Sequence, residues 1–586
     1  MTARRIIGML VLVLGGSALY ALNHHGAGGE ITPRPLLYLV ADTQREIERM
    51  PLELTRISDE KENEIGADLA RAEGLRPMPP AKRSAEEQRI EQYLNVVGHR
   101  VAGHVKRTKI FYRFYFIPDN YMVNAAAMPG GQIVVGRGLL RLLKSEDELA
   151  AILGHEIAHV DERHSIERMQ YEMKARQLGL GGIYDLGAPA IQLFEAGYTK
   201  EQEADADRIG LEFAVEAGYS AGGALDEMRA FEQLEPGSKS GAETPVGEMA
   251  GVPIQALQEY FRSHPPASER LQAFQEEIAE HHWNADQPRR PLAIRPIFLT
   301  EEAAALDARG EFEKAIAHYR EAIQQDPIYG PARRGLVRAL WRSGDAAGAA
   351  EAAVSGVSRD FGIGSMWHLY ALALAASGCP EASQKFETTS ASYVVGEAAA
   401  DAGLRAESNG LEIFCGVRSD DALLKFDSSI RGLANVVAQG RARMIIAGWL
   451  YRAGHLDAAE RELEMAHQTA PQEREGQLLR AWVLSDLGRQ ADALYALGEA
   501  SGDEAERLAA SATIHSRTGE ENTAKMDFMR AAQADPVWME PHWAEHNFSV
   551  KAAAILAGLR TAEIARRKEE EAKRRGTSAG GAGNPR

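Results

Sequence analysis

The sequence predicts a mainly α chain in two parts: an α+β domain with a small sheet and one functional helix, then an all-α repeat solenoid. Three observations carry this reading. The run His155-Glu156-Ile157-Ala158-His159 sits inside an apolar, capped helical stretch. Short β-branched and aromatic runs, Ile110 to Ile117 and Gln132 to Val135, flank a Pro129-Gly130-Gly131 turn just before it. From about Glu301 the chain becomes alanine-rich, and glycines recur every 34 residues, at Gly310, Gly344 and Gly378 and again at Gly454 and Gly488.

A chain of 586 residues is too long for one core, and length alone suggests about three or four domains. A net charge of −18 without a long basic stripe argues against nucleic-acid binding. Arg4 and Arg5 precede an apolar run, Ile6 to Leu22, so residues 1–28 are expected to be a signal peptide or N-terminal anchor. The nearest small-residue cleavage site, Gly16-Ser17-Ala18, leaves cleavage or retention open. Leu178 to Ala196 is the next most apolar stretch, but Asp185, Gln192 and Glu195 interrupt it. Cys379 and Cys415 lie far from the His-Glu-His run, so no thiol chemistry is expected there. Export would allow them to pair, but their separation in space is not legible in sequence.

The first folded domain is placed at residues 40–290. Helical periodicity runs from Ile57 to Leu75 and again from Ser84 to Val105. The strands and turn follow, and Ser145 with Glu148 reads as a capping box opening the His-Glu-His helix. Thr199 with Gln202 is a second box, opening a helix through Glu203 to Gly210. Pro236 to Gly251 reads as a mobile loop, and Ser263-His264-Pro265-Pro266 as a stiff turn before a helix from Ser268 to His281. The repeats occupy 300–540, with small residues at Ala315, Ala349, Ser383, Ala459, Ala493 and Ala524, each five after a spaced glycine. Tyr319-Ala322-Pro327, Leu463-Ala466-Pro471 and Phe528-Ala531-Pro536 are matching continuations, giving about six or seven copies. Residues 541–586 are expected to be a charged helix and a disordered tail from Gly576.

Two histidines four apart on a helix point the same way and can share one metal ion. With the intervening Glu156 this is the H-E-x-x-H pattern of zinc peptidases. A catalytic zinc takes three protein ligands and a water, so one Zn2+ per chain is expected on His155, His159 and a third group. Glu203 is the choice, with Glu201 as rival, and a merely solvated acidic first turn as the bland alternative. Asp207, one turn after Glu203, is placed to accept a hydrogen bond from a ligand histidine. Glu156 is the expected general base. Ile133, Val134 and Val135 are expected to pair an extended polypeptide by main-chain addition, the alternative being an ordinary core strand. His164 is read as a packing or capping residue, and His24, His25, His281 and His282 as incidental.

Taken in order, Asn124-Ala125, the Pro-Gly-Gly turn, Ile133 and Val135, the His-Glu-His helix, Glu203 to Gly210, His264-Pro265 and Arg270 resemble the HtpX-type and CAAX-prenyl-protease-type gluzincin peptidases. The resemblance spans about Ile57 to Glu277, and the later period resembles the tetratricopeptide repeat. It implies a zincin-like metalloprotease fold with Glu203 as third ligand; Asp205 departs from that family's usual second Glu. It also implies that His264 is a regulatory fourth ligand holding the site latent, and that Arg270 supports the transition state. Exported, repeat-bearing members imply a periplasmic zinc endopeptidase acting on misfolded or unassembled envelope proteins. The repeats would recruit substrates or protein partners, the outer-membrane assembly machinery among them, and no nucleic acid. The alternative is a periplasmic chaperone or assembly scaffold with minor or latent proteolysis.

Overall fold

Side-chain caps at Ser58, Ser84, Ser145 and Thr199 set the starts of four helices in the first half of the chain. A computed structural model describes residues 57–75, 83–177, 198–234, 264–357, 364–379, 381–391, 398–416, 419–430, 435–471 and 474–579. The N-terminal signal or anchor, the Leu178 to Ala196 stretch and the Pro236 to Gly251 loop lie outside them. The chain divides into two compact units, Met1–Arg295 and Pro296–Arg586. Among the described residues no helix is long and apolar enough to cross a membrane.

In the first unit, helix α1 (Asp59–Ala72) starts at Ser58, whose side chain accepts from the Lys61 amide. Helix α2 (Ala85–Ala102) carries a complete capping box between Ser84 and Glu87. Strands β1 (Arg113–Ile117), β2 (Ala125–Met128) and β3 (Gln132–Gly136) form one sheet in the order β1-β3-β2. Strand β3 runs parallel to β1 and antiparallel to β2. The Pro129-Gly130-Gly131 turn joins β2 to β3 and nests on α1. A Cβ on Gly130 would lie 2.5 Å from the Glu62 carbonyl oxygen, and φ there is +68°, so glycine is required.

This topology corrects the expectation for Ile133, Val134 and Val135. Their strand is the central one, with both edges already paired, so no further polypeptide can add to it. Strand β1 is not open either. Asn95 bonds both the amide and the carbonyl of Phe114, Glu91 accepts from the Phe116 amide, and His99 reaches the Tyr112 carbonyl. Side chains of α2 thus blunt that edge, as edge strands require.

A short helix α3 (Arg137–Leu142) leads to α4 (Glu146–Asp161), which carries His155 and His159 and packs against β2. The Ser145 side chain accepts from the Glu148 amide, but Glu148 reaches back to the Lys144 amide, so the box is shifted by one residue. Buried carboxylates pin both ends of α4. Asp147 accepts from the Ser220 and Arg290 amides (2.7 and 2.6 Å), and Asp161 from the Lys106 and Arg107 amides. Helix α5 (His164–Gln177) follows after a single reversing residue, Arg163. Helices α6 (Lys200–Glu216), α7 (Gly222–Leu234) and α8 (Ala267–Glu280) are the remaining described helices of the unit. The complete Thr199–Gln202 box opens α6. Helix α6 crosses α4 at Gly210 against Gly154, where a Cβ on Gly210 would lie 2.5 Å from the Gly154 carbonyl carbon and the His155 nitrogen.

The second unit is all-helical over its described residues, from Arg295–Ala308 to Val550–Ala579. The last helix thus runs past Gly576, where a disordered tail was expected to begin. Successive helices pair antiparallel through tight turns, and the periodic glycines sit in those turns with positive φ, for example +90° at Gly344 and +83° at Gly519. The small residues five positions on are buried: Ala315, Ala349, Ala459, Ala493 and Ala524 are fully inaccessible. They let paired helices approach closely, while Tyr319, Leu463 and Phe528 fill the space between pairs. Cys379 and Cys415, 36 residues apart, form a disulfide in the middle of this array.

Candidate metal centre

Helix α4 turns His155 and His159 the same way, and their Nε2 atoms lie 3.1 Å apart. Helix α6 brings Glu203 to them, with Oε2 3.5 Å from His155 Nε2 and Oε1 3.7 Å from His159 Nε2. One ligand atom from each residue falls within 4.8 Å of the others. Glu201, the rival, is exposed and outside this group. All three grouped residues are buried, and Glu203 Oε1 has no hydrogen-bond partner among the described residues.

These residues fit a metal ion. Tetrahedral zinc with bonds of about 2.0–2.1 Å needs donor–donor edges of about 3.3 Å, close to the three distances above. Two imidazole nitrogens and an orphaned carboxylate oxygen converging in a buried pocket otherwise leave acceptors unsatisfied.

Electrostatics around the group separates the two histidines. Burial alone would lower the His155 imidazole, but the hydrogen bond and charge of Asp207 outweigh it and hold it above the usual histidine range. Burial and the neighbouring His155, His164 and His264 push His159 well below that range, so it is neutral. Burial raises the Glu156 carboxyl, as a proton acceptor near neutrality requires. For Glu203, burial is outweighed by the charge and hydrogen bond of His264, and the carboxyl is lowered.

The surrounding shell is dense. Asp207 Oδ1 lies 2.8 Å from His155 Nδ1, leaving Nε2 of that ring for a cation. Arg270 holds Asp207 with two bonds (2.6 and 2.9 Å) and sits on the Nδ1 side of His155. His264 is buried in the cluster, its Nδ1 2.9 Å from Glu203 Oε2 and its Nε2 3.4 Å from Asn124 Oδ1. His264 therefore reaches the third carboxylate rather than joining the three-ligand group. His281 and His282 are exposed and outside that group.

Sequence reasoning passed over Tyr198. The Tyr198 ring stacks on His159 at 3.8 Å, and its hydroxyl donates to the Ala127 carbonyl of β2 (3.2 Å). His164 lies against His159 from another side. The one available signal was position, directly before the Thr199 cap for Tyr198 and five residues after His159 for His164.

The sequence profile of peptidase family M48 matches residues 84–278, spanning this cluster and its supporting helices. The likeness to peptidase family M48 thus covers about a third of the chain. A tetratricopeptide-repeat profile matches residues 308–362, within the helical array. The chain is 30% identical over 148 residues to the beta-barrel assembly-enhancing protease of Yersinia pestis, covering 22% of this chain and 30% of that protein. It is 26% identical over 213 residues to metalloprotease YcaL of Escherichia coli K12 (34% of this chain, 72% of that protein). It is 31% identical over 155 residues to the mitochondrial metalloendopeptidase OMA1 of Arabidopsis thaliana (25% and 28%). The chain thus spans about a third of the length of the assembly-enhancing protease.

Proposed function

We propose that the chain is an exported zinc endopeptidase whose repeats recruit substrates or partners. The observation that carries the reading is the convergence of His155, His159 and the orphaned Glu203 oxygen within the stretch that matches peptidase family M48. These three residues would hold the ion, and Asp207, clamped by Arg270, would orient His155. Zinc bound there would supply Lewis acidity to a water and to the scissile carbonyl. Glu156, with its raised affinity for a proton, takes the water's proton and hands it to the leaving amine. Arg270 is engaged with Asp207, which favours a positioning role over the transition-state role that the resemblance implied.

Strand β2 is the substrate rail in this reading. Alternation of its ladder with β3 turns the backbone groups of Ala125 and Ala127 to the outer edge. That edge lies beside α4; the Tyr198 hydroxyl holds its Ala127 carbonyl and Asn124 Oδ1 its Ala125 amide. Extended polypeptide would add there by displacing these two side-chain bonds.

Periplasmic export is supported by the apolar run at Ile6 to Leu22 and by the Cys379–Cys415 disulfide, which persists in oxidising compartments. The likeness to assembly-enhancing proteases supports misfolded or unassembled envelope proteins as substrates, with outer-membrane assembly machinery among the partners. His264 is the proposed gate. Its bond to Glu203 puts it one side-chain movement from the ion, and His264→Ala should keep zinc while raising basal cleavage. The test is hydrolysis of an unstructured protein such as casein by purified chain. Chelator should abolish it and zinc restore it. A zinc-loaded chain without hydrolysis, in wild type and in His264→Ala alike, would favour the chaperone or scaffold alternative.

A further inference from the structure

We infer that His164 is a positioning residue for His159, fixing its tautomer and ring orientation, and that the reversed turn at Arg163 exists to deliver it. This rests on the metal reading above. Helix α4 ends at Asp161, and α5 begins at His164. The chain reverses in between because Arg163 adopts φ +66°, one of two non-glycine residues with positive φ among those described. A side chain disfavours that conformation, so surrounding contacts must hold it. They do: Arg163 Nη2 donates to the Ile57 carbonyl (2.5 Å), and Nη1 lies 3.4 Å from Asp59 and 3.8 Å from Glu62.

The reversal folds His164 back onto the metal helix. Its Nδ1 lies 3.1 Å from His159 Nδ1, with ring centroids 5.2 Å apart at 65°. Both residues are buried. Two ring nitrogens at that distance share one proton, so one donates and the other accepts. His159 Nε2 faces His155 and Glu203 and must present a lone pair to bind a cation. The proton therefore sits on His159 Nδ1, and His164 Nδ1 accepts it, with its own proton on Nε2. Tyr198, stacked on His159 with planes 19° apart, fixes the plane of the ring but is indifferent to a half-turn about its Cβ–Cγ bond. The Nδ1–Nδ1 bond selects one of those two orientations. The two ligand histidines are thus backed differently, His155 by a carboxylate and His159 by a neutral imidazole.

The test compares His164→Asn with His164→Leu in the full chain. The two side chains have the same branching, but only Asn can offer an oxygen where Nδ1 now stands. Zinc affinity is read by competition with a chromogenic chelator, and ligand geometry by the visible bands of the cobalt-substituted protein. His164→Leu should lose about 10- to 100-fold in zinc affinity, the usual effect of removing such a partner, and should change the cobalt spectrum. His164→Asn should recover most of both. Equal zinc affinity in the two variants, at or below that of wild type, would overturn the positioning role. Wild-type chain that binds no zinc would instead overturn the metal reading on which it rests.

Discussion

The third ligand reaches the site because two glycines let two helices touch, and Gly210→Ala tests that dependence. A Cβ at residue 210 would stand 2.5 Å from Gly154 and His155 backbone atoms. Ordinary contacts begin at about 3.5 Å, so α6 must retreat from α4 by about 1 Å. Neither neighbour is a flexible side-chain end, so backbone must move. Glu203 lies two turns before Gly210 on the same helix and moves with it. Its edges to His155 and His159, 3.5 and 3.7 Å here, would open to about 4.5 Å, too wide for one ion with bonds near 2 Å. The Asp207–His155 bond, 2.8 Å here, would stretch past useful hydrogen-bond length at about 3.5 Å. Overpacking of this kind costs about 1–3 kcal/mol, so the fold should survive with a lowered thermal midpoint. Zinc affinity should fall by roughly 100-fold, since both a ligand and the partner of another are displaced. Chelator competition on folded protein, checked by circular dichroism, measures this. Wild-type zinc affinity in folded Gly210→Ala would refute the claim that the Gly154–Gly210 crossing sets the ligand geometry.

Three further outcomes are expected. Glu203→Ala should lose zinc while Glu201→Ala keeps it, because only the former lies in the buried group; metal analysis showing the reverse would shift the ligand by two residues. Burial pushes the Glu227 carboxyl up to about 8, above an unfolded value of about 4.3, so the folded state holds the extra proton between those values. Stability of the metal-free protein should therefore fall as pH rises from about 4.3 to 8, and Glu227→Gln should flatten that slope by up to roughly 5 kcal/mol; parallel slopes in denaturant titrations of the two proteins would contradict this. Reducing the Cys379–Cys415 bond, which closes a 36-residue separation, should lower the stability of the helical array by about 4 kcal/mol on chain-entropy grounds, and identical melting with and without reductant would remove that role.

Much of this was legible because it is local. The His155-Glu156-x-x-His159 spacing, the Thr199–Gln202 cap and the four-residue step from Glu203 to Asp207 all follow from helix periodicity. The glycine period placed the turns of the array because left-handed positions select glycine wherever they recur. What stayed hidden depends on distant chain segments meeting. A short apolar run such as Ile133 to Val135 reads the same in a central strand or at an edge, and only pairing with β1 and β2 settles it. His164 reads only as a packing or capping residue because nothing local announces a left-handed Arg163, which is held by backbone and carboxylates about 100 residues earlier. Tyr198 meets the site through β2, and Cys379 meets Cys415 across intervening helices; neither has a sequence period to betray it.

The central claim is that Glu156 moves the proton in hydrolysis while His155, His159 and Glu203 hold the ion. Glu156→Gln separates these roles, since it removes the base and keeps every proposed ligand. Zinc content and cleavage of an unstructured protein should be measured on the same purified preparation. The account predicts wild-type zinc content with cleavage reduced to background; cleavage at the wild-type rate by Glu156→Gln would contradict it.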